Sequence, residues 1–267
     1  MPDLIDLFTK WWKQIVALVV LSMLAVGIVV FLQPRQYLSV ATAVPASSFA
    51  ADKSKIFNDN IRELYSALGT PDDLDMILGT AHLDTVYLAV TDSFNLFDHY
   101  KLGEKGSAAR IRAAYELKEN TKVFKSDYGE LKVKVWDTDK ELAPQLANAI
   151  MNQLQLMHQN LQAAGNVATL SALRKARVRE LTKEQMASDS AGAWVPASQQ
   201  YDQLINEYQV MVDTKPAVLI IVENAKVSEW PDKPKRVQVL AVTALVSLLF
   251  ALLLALVLER RKISKAV

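Results

Sequence analysis

The sequence predicts an α+β protein: a membrane-proximal mixed α/β base with an extended helical arm, flanked by two transmembrane helices. Three observations predict it. Each end of the chain carries a long uncharged apolar run, and the stretch between them mixes short alternating segments with helical ones. One amphipathic helical stretch in that middle part is too long for a minor packing helix.

The apolar runs come first. Ile15 to Leu32 reads IVALVVLSMLAVGIVVFL, and Val237 to Leu258 reads VQVLAVTALVSLLFALLLALVL. At ~1.5 Å rise per residue each reaches across a hydrocarbon layer roughly 30 Å thick. Backbone amides in lipid must pair internally, so such runs cross as helices. Trp11 and Trp12 precede the first run with Lys10 and Lys13, and Arg260, Arg261, Lys262 and Lys265 follow the second. Two spans put both ends on one side, and these cations make that side cytoplasmic. Lys233, Lys235 and Arg236 run against the pattern, because they precede the second span on the external side. The first run is longer than an ordinary signal segment, which makes it an uncleaved anchor.

The expected division is a cytoplasmic tail at 1–14, a span at 15–32, an external domain at 33–236, a span at 237–258 and a tail at 259–267. The arm within the domain covers approximately 140–212. The domain has 24 Lys and Arg against 26 Asp and Glu, and this mixed charge argues against a nucleic-acid partner. With no cysteine in the chain, disulfides, thiol catalysis and zinc thiolates are excluded.

Pro34 breaks the helix leaving the first span, and Tyr37 to Val44 alternates as a strand. Helical spacing follows over Ser54–Leu68, Leu74–Leu78, Leu83–Phe97 and Ala108–Thr121, the last carrying Ile111, Tyr115 and Leu117. The period then changes to two. Val123 and Phe124, a turn near Asp127–Gly129, and Leu131, Val133 and Val135 alternating with Lys132, Lys134 and Trp136 predict a strand pair.

Asp137 and Asp139 supply an N-cap for a helix starting near Lys140. Leu142, Leu146, Ile150, Leu154, Met157 and Leu161 then mark its apolar stripe. Gly165-Asn166 is a candidate interruption before the stripe resumes at Leu170, Leu173, Val178 and Leu181. Arg174, Lys175, Arg177, Arg179 and Lys183 make this second stretch basic, either as a solvated face or as a surface for acidic polysaccharide or a neighbouring subunit. Ala187–Ala197 reads as a tip, Gln199–Val212 as a returning helix and Ala217–Glu223 as an apolar strand. Pro231 and Pro234 stiffen the neck before the second span. Gly27 offers a place where the first span packs closely on another helix.

No motif assembles catalytic, cofactor or metal chemistry: phosphate loop, paired-histidine zinc helix and dinucleotide fingerprint are all missing. His82, His99 and His158 are scattered and read as structural or surface residues. The expectation is a protein that is not an enzyme and takes no cofactor.

Three stretches resemble the Wzz-type chain-length determinants, or polysaccharide co-polymerases, of Gram-negative inner membranes. PRQYLSVATAV (Pro34–Val44) is similar to that family's strand after the first span, with its proline and its tyrosine, Tyr37. LKVKVWDTDKELAPQLANAIMNQL (Leu131–Leu154) is similar to its strand, Asp-x-Asp element and following helix. Lys140 stands where the family commonly has proline, and Leu146-Ala147-Asn148 stands for its Ile-Ala-Asn text. AVLIIVENAKVSEWPDKPKR (Ala217–Arg236) is similar to the last external strand, an Ala-x-Val element and the prolines entering the second span. The chain is shorter than many members, so its arm is expected to be reduced. It also lacks the Walker motif and tyrosine cluster of the branch fused to a kinase.

The resemblance implies a ring-like homo-oligomer in the inner membrane, beside a polysaccharide polymerase, that biases the length of O antigen, capsule or exopolysaccharide. Polysaccharide itself, a separate cytoplasmic partner and membrane lipid are the further partners it leaves room for. It marks Pro34, Tyr37, Asp137, Asp139, Asn148, Pro231 and Pro234 as motif positions of structural type. Leu146, Ile150, Leu154, Met157 and Leu161 are the candidate contacts of the arm or between copies. The rival reading is an envelope adaptor or sensor ectodomain, and a membrane-tethered hydrolase is the weaker third.

Overall fold

A computed structural model of the chain describes residues 4–46, 71–102, 106–187 and 197–265. The helix expected over Ser54–Leu68 and most of the Ala187–Ala197 tip lie outside the described residues. The chain divides into two compact units. One comprises Met1–Leu38, Thr138–Lys140 and Ser228–Val267; the other comprises Ser39–Asp137 and Glu141–Val227.

The first unit holds the two candidate spans. Helix α1 is Leu4–Leu32, and a helix of similar length covers Arg236–Lys265 at the other end. Within them Thr9–Leu32 and Arg236–Glu259 are apolar and long enough to cross a membrane. Both helices outrun the apolar text at their outer ends, because backbone hydrogen bonding continues through Trp11 and past Glu259. The pair is fastened there: Trp11 Nε1 donates to Glu259 Oε2 at 3.0 Å, and Lys10 Nζ meets Oε1 at 2.5 Å. Ile15, Ala251 and Ala255 are buried beside that contact. The start of one helix therefore lies against the end of the other. At Gly27 an added Cβ would meet Leu240 at 3.9 Å, an ordinary contact, so the close approach expected there does not require glycine.

The second unit is a sheet covered by helices. Strand β1 is Gln36–Pro45; helices α2 (Pro71–Thr80), α3 (Asp84–Phe94), α4 (Leu96–His99) and α5 (Ser107–Glu119) follow. Strands β2 (Thr121–Lys125) and β3 (Leu131–Asp137) come next, then α6 (Leu142–Ala187), α7 (Ala197–Thr214) and β4 (Leu219–Glu223). A short β5 (Pro231–Lys233) leads to the second span, α8 (Arg236–Lys265). The sheet runs β2-β3-β1-β4. β1 pairs antiparallel with β4 through Thr42–Pro45, and its first residues, Gln36 and Tyr37, pair with β5. The proline neck thus contains a strand that alternation over three residues could not reveal.

β3 alternates as its sequence predicts: Leu131, Val133, Val135 and Asp137 are buried, and Lys132, Lys134 and Trp136 lie on the half-covered face. On that outer face the Lys134 ammonium stands 5.0 Å from the centre of the Phe124 ring. The β2–β3 turn needs Gly129, whose φ is +74°. Leu74, Ile77, Val86, Val90, Leu96, Leu117 and the start of α6 pack on the buried face.

Three local expectations are corrected. The helix expected over Leu83–Phe97 is two helices, broken by Asn95 in the left-handed region at φ +55°. α5 buries Ala109, Ala113, Ala114 and Leu117, whereas Ile111 and Tyr115 face outward, because only the small alanine edge allows close approach to α3 and α4. Gly165-Asn166 does not interrupt α6, which is continuous over 46 residues; one glycine in a helix interior costs only ~1 kcal/mol relative to alanine.

Candidate functional site

Two side chains join segments that are far apart in sequence. Asn148, on the second turn of α6, uses its whole amide: Oδ1 accepts from the Ala225 N–H at 2.8 Å and Nδ2 donates to the Ala225 carbonyl at 3.4 Å. A carboxamide presents one donor and one acceptor side by side, so it pairs with a peptide unit as a neighbouring strand would. It does so just past the end of β4, where Ala225 is buried and its backbone has no strand partner to use. From the other side, Ser39 on β1, also buried, donates its hydroxyl to the Lys226 carbonyl at 2.8 Å. Buried N–H and C=O groups left unpaired would each cost ~1–3 kcal/mol, so these contacts determine whether the segment after β4 can lie there.

The elements joined in this way are the three stretches singled out by sequence. Pro34–Val44 forms β1, Leu131–Leu154 forms β3 and the start of α6, and Ala217–Arg236 forms β4, the clasped segment and β5. β3 and β4 flank β1. Ala41 and Ala43 on β1 are fully buried, since only small side chains fit beneath the helices there.

The other motif positions divide between the two units. In the first, Pro34 is exposed between α1 and β1, Tyr37 stands opposite Pro231, and Pro234 follows β5 after a cis peptide bond. Asp139 lies exposed in the turn before α6. In the second, Asp137 is almost fully buried at the end of β3. The His99 Nε2–H donates to its Oδ1 at 2.9 Å, and the Tyr100 hydroxyl reaches Oδ2 at 3.4 Å. Burial, followed by the charge of Asp137, pushes the Tyr100 phenol well above its ordinary range, so it stays protonated as the donor. Asp137 therefore ties α4 to the sheet, a role its position before a helix does not reveal.

His158, read as scattered, is buried on α6 with Nε2 2.6 Å from Thr80 Oγ1. Thr80 gives its own proton to the Ile77 carbonyl at 2.8 Å, so its oxygen accepts from the imidazole N–H. Burial pushes the His158 pKa down, opposed by the charge of Asp73. Sequence reasoning missed both histidine pairs. For His158 the one signal was an isolated polar residue on an otherwise apolar helical face.

The candidate arm contacts need a correction. Leu146, Ile150 and Leu154 are fully buried in the chain's own core, and Met157 packs at its edge, so the first turns of α6 are base rather than arm. Only Leu161 faces outward, at 58% exposure. Farther on, α7 returns antiparallel along α6. Arg177 pairs with Asp202, Arg174 Nη2 donates to Gln209 Oε1 at 2.8 Å, and Gln159 Nε2 donates to the Lys215 carbonyl. Two cations of the basic stretch are thus used within the chain, and Lys175 and Arg179 remain exposed. Among the described residues there is no cluster of three or more histidines and carboxylates able to hold a metal ion.

No protein-family model and no curated protein matches the chain. Among solved structures it is similar to a full-length bacterial polysaccharide co-polymerase, at 13% identity and a TM-score of 0.45, over 99% of this chain and 98% of that one. It is also similar to a fragment of WzzB, a polysaccharide co-polymerase from Salmonella Typhimurium, at 15% identity and a TM-score of 0.44, over 75% of this chain and 100% of that one. With likeness at this level, function is read from this chain's own residues.

Proposed function

We propose that the chain is a non-catalytic regulator of polysaccharide chain length, acting as an oligomeric scaffold on the external side of the inner membrane beside a polymerase. One observation carries the reading. The three stretches that resemble chain-length determinants, separate in sequence, meet in one sheet and are clasped by Asn148 and Ser39. Unrelated text that matched by chance would have no reason to converge. The two apolar helices with their ends together support an anchored protein whose termini share the cytoplasmic side.

Contacts between copies belong on the outward face of α6. Leu156, Val167 and Val178 stand at 11-residue intervals and are 51%, 51% and 61% exposed. An 11-residue interval keeps a stripe in line along a helix, as a long contact between copies requires. The glycan is O antigen, capsule or exopolysaccharide, and the scaffold sets how far extension runs before release.

The test is deletion of the gene, with surface and secreted polysaccharide resolved by size and a complemented control. Collapse of a regulated distribution to short or random lengths, restored by the wild-type chain, is expected. An unchanged distribution in cells that express the protein would favour the envelope-adaptor reading.

A further inference from the structure

Where the chain leaves the first span and enters the second, an open pocket of about 440 Å³ is lined by Arg35, Lys233, Lys235, Arg236 and Trp230. Four of these five side chains are cationic, and no Asp or Glu is among the residues that line the pocket. Among the described residues neither Arg35 nor Lys235 forms an ion pair, and both are exposed. Arg236 is held in place, its guanidinium 4.7 Å from the centre of the Phe31 ring on the other span. Trp230 is 82% exposed, an unfavourable place for an indole in water.

Each feature has the same physical solution. The pocket lies at the ends of Thr9–Leu32 and Arg236–Glu259, which is the depth of the lipid headgroups if the helices span a bilayer. Indoles favour that layer, with the ring among the upper acyl chains and the N–H among headgroups. Guanidinium and ammonium groups converging there, without a carboxylate, match a phosphate. The position also explains the cations that run against the charge bias of the loops. Under the proposed orientation they lie externally, where that bias predicts few, so they need a reason of their own.

We propose that this pocket is a binding site for the headgroup phosphate of an anionic membrane phospholipid. Arg35 and Lys235 supply the open charges, Arg236 a fixed one, and Trp230 anchors the site in the interface. The inference rests on the two-span reading and is independent of any role in polysaccharide synthesis.

The test uses the full chain, extracted from micelles containing equal phosphatidylglycerol and phosphatidylcholine, with retained lipid counted by native mass spectrometry. The wild type is expected to retain phosphatidylglycerol preferentially. In the double variant Arg35→Gln, Lys235→Gln that preference is expected to fall ~10-fold, following the attraction of basic residues near a charged surface. Two exposed cations on α6 serve as the control: Lys175→Gln with Arg179→Gln should leave the preference unchanged. Equal retention of the two lipids by the wild type, or an equal loss in the control variant, would overturn the site. Because the readout is lipid alone, failure here leaves the polysaccharide reading standing, and the reverse also holds.

Discussion

From Leu142 to Leu154, α6 buries Leu146, Ile150, Met151 and Leu154 completely against the sheet and its covering helices. Beyond Leu170, Arg174 and Arg177 of the same helix reach Gln209 and Asp202 on α7, with Leu173, Leu204 and Ile205 half-buried, Met211 buried and Val178 left outside. One helix thus serves two purposes. Its first half is part of a hydrophobic core, where removing a methyl group leaves a void. Its second half has a thinner apolar contact with α7, supplemented by partly exposed polar pairs that gain little net energy. Substitutions in the first half should act on folding, and those in the second on what the surface touches.

The largest expected effect lies in the first half. Leu154→Ala should lower the unfolding free energy of the full chain in detergent by about 2–5 kcal/mol, the usual range for a fully buried leucine. Val178→Ala, at an exposed position in the second half, should stay within about 0.5 kcal/mol. Equal losses in denaturant titrations would erase the distinction between the halves.

Asn148→Ala comes next. It strips both the N–H and the C=O of Ala225 of their partner and should cost about 1–3 kcal/mol. A neutral result would mean that water or another side chain takes over the clasp.

A smaller effect sharpens the comparison through pH. The His158 imidazole sits in the core half, and its pKa is lowered by burial. As pH falls through ~6.5, the unfolded chain takes up the proton more readily than the folded one. Stability is therefore full above that pH and is lost as pH falls toward the depressed folded value. Between pH 7 and 5, His158→Gln should show a shallower loss than wild type in thermal melts. Parallel curves would place the acid sensitivity elsewhere.

The smallest effect belongs to the second half. Arg177→Ala should cost about 0.2–1 kcal/mol, because its pair with Asp202 is nearly half exposed to water. A loss above 2 kcal/mol in the same denaturant assay would make the α6–α7 hairpin part of the core.

Periodicity made much of the fold legible. Alternation gave β3 with its correct buried face, and uninterrupted apolar text gave both spans. What it missed has a common cause. Asn95 in a left-handed turn, the three residues of β5, and the alanine face of α5 all depend on which neighbour comes close, and a window of sequence carries no neighbour. At the candidate site, the motif stretches were legible one by one, including Asn148, but the pairing of its amide with Ala225 spans 77 residues. The assignment of Leu146, Ile150 and Leu154 to the arm or to contacts between copies met the same difficulty, since all three lie in the core. An apolar stripe says that something covers it, and here the covering surface is the chain's own sheet.

The most direct test of this division of labour is the polysaccharide size profile of a deletion strain complemented with Val178→Asp at wild-type membrane abundance. The account predicts a shifted length distribution from a protein whose unfolding midpoint is unchanged. A wild-type profile from that variant would contradict a working role for the outward face of α6.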